Sequence, residues 1–301
     1  EPPGPSDTVE PVDPDTPVSS PPGGGGDPIG EPPSDLEPID AAGPDPFTES
    51  VSIIEVASFP SEVAAVAADV QAELAVDDST GTRVATGVTP GLYGGTRDDA
   101  SCDVEALATY LSEHPDKGAA WASVVGVAPA SLPSYLRSLA PVVLTTDTWV
   151  TNHGFRDGRA TPRSAVLQAG TAVLVDATGT PRARCSCGNP LGPPPSGRLG
   201  LDGASGARWQ GFRVGEVTSV RPGAPVPALT LVDTGDGSLY ELPVGTDPAT
   251  TTTTSVTPAA TPVTEQELKN MTVPDGGLLE ESKELRFVDG SAPSPDGFGG
   301  S

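Results

Sequence analysis

The sequence predicts an α+β fold in which short helices are followed by a small antiparallel sheet, with long disordered Pro/Gly-rich and Thr-rich flanks. Charge is the first observation. Residues 1–82 contain 18 acidic residues and no Lys or Arg, whereas residues 83–242 contain 14 acidic and 13 basic residues. A near-neutral middle between acidic ends is typical of a globular domain with solvated flanks. Periodicity is the second observation, because apolar residues recur at helical spacings before residue 140 and in short β-branched runs after it.

The flanks differ from the middle in composition. Residues 1–46 form a predicted disordered acidic linker, because a segment so rich in Pro and Gly buries too little apolar surface to offset its ordering entropy. We expect a globular domain at 47–245 and a Thr/Pro-rich linker at 246–264. At 265–301 the stretches LKNMTVPDGG and LRFVDG resemble the start of an exported domain, which implies a second, truncated extracytoplasmic domain there. Since the sequence begins without Met, we expect any signal peptide or anchor to lie upstream of Glu1.

Five helices are expected, four of them before residue 140. Pro60 and Ser61 open the first, whose apolar positions recur three or four residues apart. Three short helices follow at about 103–113, 116–125 and 132–139. Each begins near a capping residue, and Pro or Gly stops it. The pattern predicts a compact helical subdomain.

Strands are predicted mainly in the second half. Residues 51–57 (VSIIEVA) and 142–150 (VVLTTDTWV) are rich in β-branched residues. TAVLVD and PRARCSC flank ATGT, which predicts a hairpin, and three more short strands are expected at GEVTSV, ALTLVD and SLYELP. Between the strand at 142–150 and the hairpin, TNHGFRDGR is predicted to be a loop. Thr161 is then predicted to cap a short helix with Pro162 at its first position.

The net charge of −25 argues against several partners. Phosphate binding requires clustered cations, so a nucleic-acid partner is not expected, and neither is an anionic membrane surface. The sequence contains no run of 18 apolar residues, so we expect no transmembrane segment in this chain. Neither a phosphate-binding Gly-rich loop nor a Gly-x-Gly-x-x-Gly pattern is present, and no cofactor is predicted.

A set of motifs in the middle of the chain resembles a known family. The motifs are the Cys102-Asp103 pair, LYGGTRD (92–98), TNHGFRDG (151–158), AVLQAGTAVLVD (165–176), RCSCGNPL (184–191) and WQGF (209–212). Together they resemble an actinobacterial domain of unknown function that is found outside the membrane, in lipoproteins, exported proteins or the outer part of membrane proteins. The resemblance covers residues 37–245. It implies an extracytoplasmic location, secreted or tethered to the cell envelope, and it implies no activity.

The three cysteines predict one disulfide and one unpaired thiol. If PRARCSC is a strand, Cys185 and Cys187 share its buried face, and Cys102 can pack beneath that face at the start of a helix. We expect a disulfide from Cys102 to one of these two, and the pattern leaves the choice open. A metal site of the three cysteines with His153 is the alternative. Because Cys-x-Cys with distant partners is poor spacing for zinc, no metal is expected.

His153 and Asp147 are candidate catalytic residues. A catalytic interpretation makes His153 a base that Asp147 or Asp157 orients. The alternative is a turn histidine whose ring fixes the loop by hydrogen bonds. No nucleophile motif such as Gly-x-Ser-x-Gly accompanies the histidine, which favours the structural role.

Arg156, Arg159 and Arg163 form the one dense group of cations in this acidic sequence. With Asn152 they are the predicted ligand-binding residues, suited to a sugar phosphate or a carboxylate of the cell envelope. The N-terminal amides of the helix expected at Thr161 would add to such an anion site. The alternative is a solvated face, or pairing of the arginines with acidic residues.

These observations favour a non-enzymatic extracytoplasmic binding, sensing or structural module of the cell envelope. Its partner would be an envelope glycan, an anionic small molecule or another envelope protein. The alternative is a hydrolase or transferase that uses His153 with Asp147 or Cys187. A pocket that brings these side chains within hydrogen-bond reach would favour the enzyme, whereas a His153 that bonds only to backbone would count against it.

Overall fold

The structure, a computed structural model, describes residues 34–245. The linker predicted at 246–264, the second domain predicted at 265–301 and residues 1–33 of the first predicted linker lie outside the described residues.

Within 34–245 the chain forms four α-helices and thirteen β-strands. The helices are α1 (Ser61–Glu73), α2 (Val104–Glu113), α3 (Pro115–Val125) and α4 (Leu132–Arg137). The strands are β1 (Asp35–Glu37), β2 (Ala75–Asp77), β3 (Thr82–Thr86), β4 (Tyr93–Gly95), β5 (Ala140–Leu144), β6 (Thr148–Arg156), β7 (Arg159–Leu167), β8 (Ala172–Val175), β9 (Pro181–Arg184), β10 (Asn189–Gly192), β11 (Thr218–Arg221), β12 (Ala228–Asp233) and β13 (Leu239–Pro243).

The strands join into one large mixed sheet, so the predicted small antiparallel sheet is wrong. The strand order is β13-β12-β4-β5-β8-β9-β10-β6-β11-β3-β2, and β7 pairs with β6 and β1 off this path. Four pairs are parallel: β1 with β7, β11 with β3, β11 with β6 and β12 with β4. Each of these pairs joins strands that are far apart in the sequence. Local periodicity identifies a strand but not its partner, which is why the sequence indicated only neighbouring, antiparallel pairs.

The four helices predicted before residue 140 are present, because their signals are local. Asp103 caps α2, where its carboxylate accepts a hydrogen bond from the backbone N–H of Ala106 at 2.8 Å. Gly126 ends α3 in the left-handed conformation, with φ of 75°. The buried faces of α2, α3 and α4 pack together with Leu174 and Ala183 of the sheet into one apolar cluster.

The predicted loop at TNHGFRDGR and the predicted helix after Thr161 are both wrong. Residues 148–167 form a hairpin in which β6 and β7 pair over nine residues each. Asp157 and Gly158 make the two-residue turn, with φ of 52° and 74°. Positive φ at both central positions is the geometry that Asp-Gly favours in tight hairpins. The sequence therefore contained the hairpin signal, and Pro162 lies within a strand instead of opening a helix.

The beginning of the domain also differs from the prediction. The linker was expected to extend to residue 46, but β1 pairs in parallel with β7, and Leu36 is buried. The strand predicted at 51–57 is reduced to one isolated bridge between Ser52 and Cys102. The backbone of this segment bonds to several separate partners, among them Cys185 and Gly170, and therefore does not follow one neighbouring strand.

The core consists of three apolar clusters. One lies along the central strands and contains Tyr93, Leu167 and Tyr240, and a second lies under α2 to α4 around Trp121. The third is small and joins β1 to β6 and β7 through Trp149, with Trp209 and Phe212 packed against it. This third cluster places the segment around Trp209 next to the ends of β5 and β7, where the cleft described below opens.

None of the helices in 34–245 has the length and apolar character needed to cross a membrane.

Candidate functional site

Two of the predicted ligand-binding residues, Arg163 and Asn152, contact a buried carboxylate of the same chain. That carboxylate is Glu37, whose side chain is 3% exposed. Arg163 donates from Nη2 to Oε1 of Glu37 at 2.8 Å, and Nδ2 of Asn152 lies 2.7 Å from Oε2. Because both side chains already bind this internal acid, they are not free for an external anion.

The same carboxylate holds Arg184, which is completely buried. Nη1 of Arg184 donates to Oε2 of Glu37 at 2.7 Å, and its Nη2 donates to the backbone oxygens of Pro38 and Ala41. Asn189 extends the network, since it donates to Oδ1 of Asn152 at 3.0 Å. Burial of an ion pair is tolerated when hydrogen bonds satisfy both partners, and here nearly all polar atoms of the network are satisfied. The network therefore fixes β1 to β6, β7, β9 and β10.

The other two predicted residues lie at the turn end of the β6–β7 hairpin. Arg156 forms an ion pair with Asp45 at 2.6 Å, and its side chain is 60% exposed. Arg159 is opposite Arg156 in the register and is also exposed. The four predicted residues therefore do not converge on one place, because Arg163 and Asn152 point into the domain while Arg156 and Arg159 stay at its surface. Ligand binding at Arg156 and Arg159 stays a prediction.

The candidate catalytic residues do not form a catalytic group. Nδ1 of His153 is 3.1 Å from the backbone oxygen of Pro190. Cys187 is buried and donates weakly to the backbone oxygen of Arg184. Asp147 bonds to Ala169 and Trp209. Among the residues at 34–245, none of these three side chains hydrogen-bonds to another of them.

The protonation equilibria of His153 and Cys187 agree with structural roles. Burial lowers the pKa of His153 from its ordinary value, and the positive charge of Arg163 lowers it further, although the bond to Pro190 opposes both. Burial also raises the pKa of the Cys187 thiol to about 11, against the opposing effect of Arg184. A thiol with a raised pKa is a poor nucleophile at neutral pH.

The disulfide forms between Cys102 and Cys185, across 83 positions of the sequence. The choice that the sequence left open is thus decided in favour of Cys185, and Cys187 is the unpaired cysteine. Within the described part of the chain, no group of three or more His, Cys, Asp or Glu residues is arranged to hold a metal ion.

The best candidate for a binding site is a cleft of about 450 Å³. Its walls are α1, residues 56–59, the turn between β5 and β6 at 145–147, residues 168–169 and the segment 209–216. This volume falls in the range that suits a small organic ligand. The apolar part of the wall includes Phe59, the alanines of α1 and Trp209.

Asp147 is an acidic residue that lines the cleft. Its Oδ1 accepts a hydrogen bond from the backbone N–H of Ala169 at 2.8 Å, and its Oδ2 accepts one from the indole N–H of Trp209 at 3.1 Å. It forms no ion pair with any described residue. Burial raises its pKa from the ordinary value of 3.8, the two hydrogen bonds oppose that shift, and the negative charge of Glu216 adds to it. The carboxylate is thus partly desolvated and lacks a cationic partner.

Thr146 is the second polar group of interest in the cleft. The residue is 4% exposed, and its hydroxyl has no hydrogen-bond partner within the described part of the chain. A buried hydroxyl without a partner costs free energy, and such groups in native structures call for an explanation. The oxygen of this hydroxyl is shielded from solvent, so a ligand in the cleft would not contact it in this side-chain position.

Sequence reasoning missed Glu37 and most of the cleft. Glu37 lies in SDLEPID, and Leu36 and Ile39 beside it are the only signal that this acidic stretch is part of the fold. For the cleft, the one available signal was a Trp between Arg208 and Gln210 in a Gly-rich segment. Asp147 was singled out, but as a partner of His153, from which the structure separates it.

The fold and the cleft define a mixed-sheet domain with one internal disulfide and a ligand-sized opening beside Trp209 and Asp147. The chain belongs to the family described as Domain of unknown function (DUF6777), which matches residues 83–245. Comparison with curated proteins and with solved structures gave no match.

Proposed function

We propose that this protein is a non-enzymatic binding module that acts outside the cytoplasm, and that the cleft beside Trp209 and Asp147 receives a small organic ligand. The observation that carries the proposal is the carboxylate of Asp147. It lines the cleft, is partly buried, and has no cationic partner among the described residues. A partly buried carboxylate without a counter-charge is costly to retain, and a bound ligand that satisfies it would recover that free energy.

The arrangement of the candidate catalytic residues supports binding over catalysis. His153 bonds to a backbone oxygen, and Cys187 is buried beside Arg184, so neither accompanies Asp147 in the cleft. A hydrolase or transferase built on these residues would need a nucleophile and a base within hydrogen-bond reach of each other. Asp147 alone, held by two N–H donors, can recognise a ligand without performing chemistry on it.

The disulfide supports an extracytoplasmic location. Disulfides form and persist in oxidising compartments, and a bond between Cys102 and Cys185 closes a long loop of the domain. The measurement is mass mapping of the protein recovered from its native cells under non-reducing conditions. We expect one peptide pair linked through Cys102 and Cys185, while Cys187 is alkylated only after denaturation. Three free thiols in that protein would contradict the proposed location.

The binding proposal can be tested through the three tryptophans. Each indole N–H has a different acceptor: the backbone oxygen of Gly188 for Trp121, the hydroxyl of Ser164 for Trp149 and the carboxylate of Asp147 for Trp209. Nitrogen-15-labelled protein should therefore give three separate indole signals, and Trp209→Phe assigns the one in the cleft. We expect at least one compound from mixtures of sugars, amino acids and amines to move the Trp209 signal in a saturable way.

The buried tryptophans serve as controls in the same spectrum. Trp121 and Trp149 are at most 2% exposed and lie outside the cleft. Their signals should stay in place when a ligand binds beside Trp209. If no mixture moves the Trp209 signal, or if all three signals move together, the cleft is not a specific site and the proposal fails.

A further inference from the structure

We infer that the ligand of the cleft presents an ammonium group to Asp147, so that the module recognises small organic amines. This inference rests on the proposed function, because it names the chemical class of ligand for the same cleft. Its starting point is the charge balance of the site.

A neutral ligand would leave the carboxylate of Asp147 without a counter-charge. Two N–H groups already bond to it, one on each oxygen, but both donors are neutral. A carboxylate that is removed from water is stabilised far more by a charged donor than by a neutral one. An ammonium group would supply that charge, whereas a sugar hydroxyl would add only one more neutral hydrogen bond.

The other charges of the cleft also favour a cation. Besides Asp147, the ionisable residues of its walls are Glu216 and Arg213. These two form an ion pair with each other at 2.9 Å, which leaves Asp147 as the uncompensated charge. The cleft is therefore negative overall, and an anionic ligand would be repelled from it.

The donors of an ammonium and the apolar walls of the cleft suit the same ligand. An ammonium carries three N–H donors and no acceptor. One of these donors can bond to the carboxylate of Asp147, which lines the cleft. The apolar wall around Phe59 and the alanines of α1 would cover the carbon skeleton of the amine.

The test compares two probes that differ only in the charged group. Cyclohexylmethylamine is protonated at neutral pH, and cyclohexylmethanol has the same ring with a hydroxyl in place of the ammonium. Each is titrated into the labelled full-length protein while the Trp209 indole signal is followed. We expect the amine to bind with a Kd about tenfold lower than that of the alcohol, because a charge-assisted hydrogen bond replaces a neutral one.

Two variants with opposite expected effects on amine binding distinguish an effect of charge from a loss of folding. Asp147→Asn should abolish the preference for the amine, and unchanged Trp121 and Trp149 signals show that the variant is folded. Arg213→Ala removes an exposed cation. We expect this change to lower the Kd of the amine by about twofold and to leave the Kd of the alcohol unchanged. Because Arg213 lies at the surface, this second variant is informative even if Asp147→Asn does not fold.

The outcomes distinguish the inference from the proposed function. If sugars or the alcohol move the Trp209 signal at lower concentrations than the amine, the ammonium inference is overturned and the binding cleft stands. If Arg213→Ala weakens binding of the amine, the charge argument is wrong. If neither probe moves the signal but a neutral compound from the mixtures does, the ligand is of another class, and the inference fails while the proposed function survives.

Discussion

The side chain of Glu37 connects its own strand to three others. Its carboxylate contacts Arg163 on β7, Arg184 on β9 and Asn152 on β6, although Glu37 itself lies in a three-residue strand. A charge in such a place is stable only because its partners are charged or hydrogen-bonded in turn. Removing one member therefore leaves the others buried without compensation.

We expect Glu37→Ala to lower the free energy of unfolding by about 3–5 kcal/mol, the usual cost of breaking a buried ion pair. The completely buried Arg184 would keep its charge without a counter-ion. Urea denaturation followed by tryptophan fluorescence measures the change. Arg156→Ala is the matched control, since its ion pair with Asp45 is exposed and should contribute less than about 1 kcal/mol. Equal losses of unfolding free energy in the two variants would show that the buried network stabilises the domain no more than an exposed ion pair does.

Asp147 should titrate above its ordinary pKa of 3.8, because burial and Glu216 outweigh its two hydrogen bonds. The Trp209 indole signal reports this titration, since its N–H bonds directly to the carboxylate. Asp176 provides an internal reference with the opposite sign. Burial raises its pKa, but hydrogen bonds from Thr178 and Arg182 outweigh burial, so it should titrate below 3.8.

The sign of the effect on stability follows from linkage. A carboxyl with a raised pKa in the folded state holds its proton more tightly than in the unfolded chain. The contribution of Asp147 to stability should therefore fall as the pH rises from 3.8 through its higher folded pKa. The unfolding free energy of Asp147→Asn should lack this decrease. A midpoint for Asp147 below that of Asp176 would contradict the argument.

At the residue scale the sequence indicated the chemistry of some side chains but not their partners. Arg163 and Asn152 were singled out by their charge and polarity, and the structure pairs both with an acid more than 100 positions earlier in the chain. A pattern within a short stretch of sequence cannot predict a contact between residues so far apart in the chain. The disulfide was more accessible to prediction, because only three cysteines exist and the predicted strand PRARCSC put Cys185 and Cys187 on one face, although β9 ends at Arg184.

At the scale of elements, signals that act within a few residues were predictive. Helices α2 and α3 begin and end close to the positions expected from caps, Pro and Gly. The β6–β7 hairpin was missed even though its turn is equally local. Polar residues around His153 suggested a loop, but Asp157-Gly158 favours a tight turn, and nine consecutive pairs extend from it.

This hairpin offers a sharp test of backbone conformation. Gly158 has a φ of 74°, and a Cβ there would meet nothing within 4 Å. We expect Gly158→Ala to destabilise the domain by about 1–2 kcal/mol, through the left-handed conformation alone. Gly200 is the control, because a Cβ there also meets open space and its φ is not in the left-handed region. Thermal unfolding of the two variants measures the difference, and an unchanged melting temperature for Gly158→Ala would contradict the turn geometry.

At the scale of the whole molecule, the domain depends on residues ahead of the region that matches its family. The match begins at residue 83, yet β1 and Glu37 precede it. Composition placed all of 1–46 in one linker, since Pro and acidic residues continue past the point where the fold begins. The parallel pairing of β1 with β7 requires a contact across about 130 positions, which composition cannot reveal.

Two truncations that differ by 16 residues test this dependence. A chain that starts at Ser34 keeps β1, the Glu37 network and Phe47, whereas a chain that starts at Ser50 loses all three. We expect the first to unfold at the same urea concentration as the full chain. The second should be destabilised by more than Glu37→Ala alone, because it also removes the buried Leu36 and Phe47 and leaves the edge of β7 unpaired. Limited proteolysis gives an independent measurement, since a resistant fragment of the full chain should begin before Asp35. If cleavage after residue 47 instead leaves a fragment as stable as the intact protein, β1 is dispensable, and the boundary indicated by composition is the physical one.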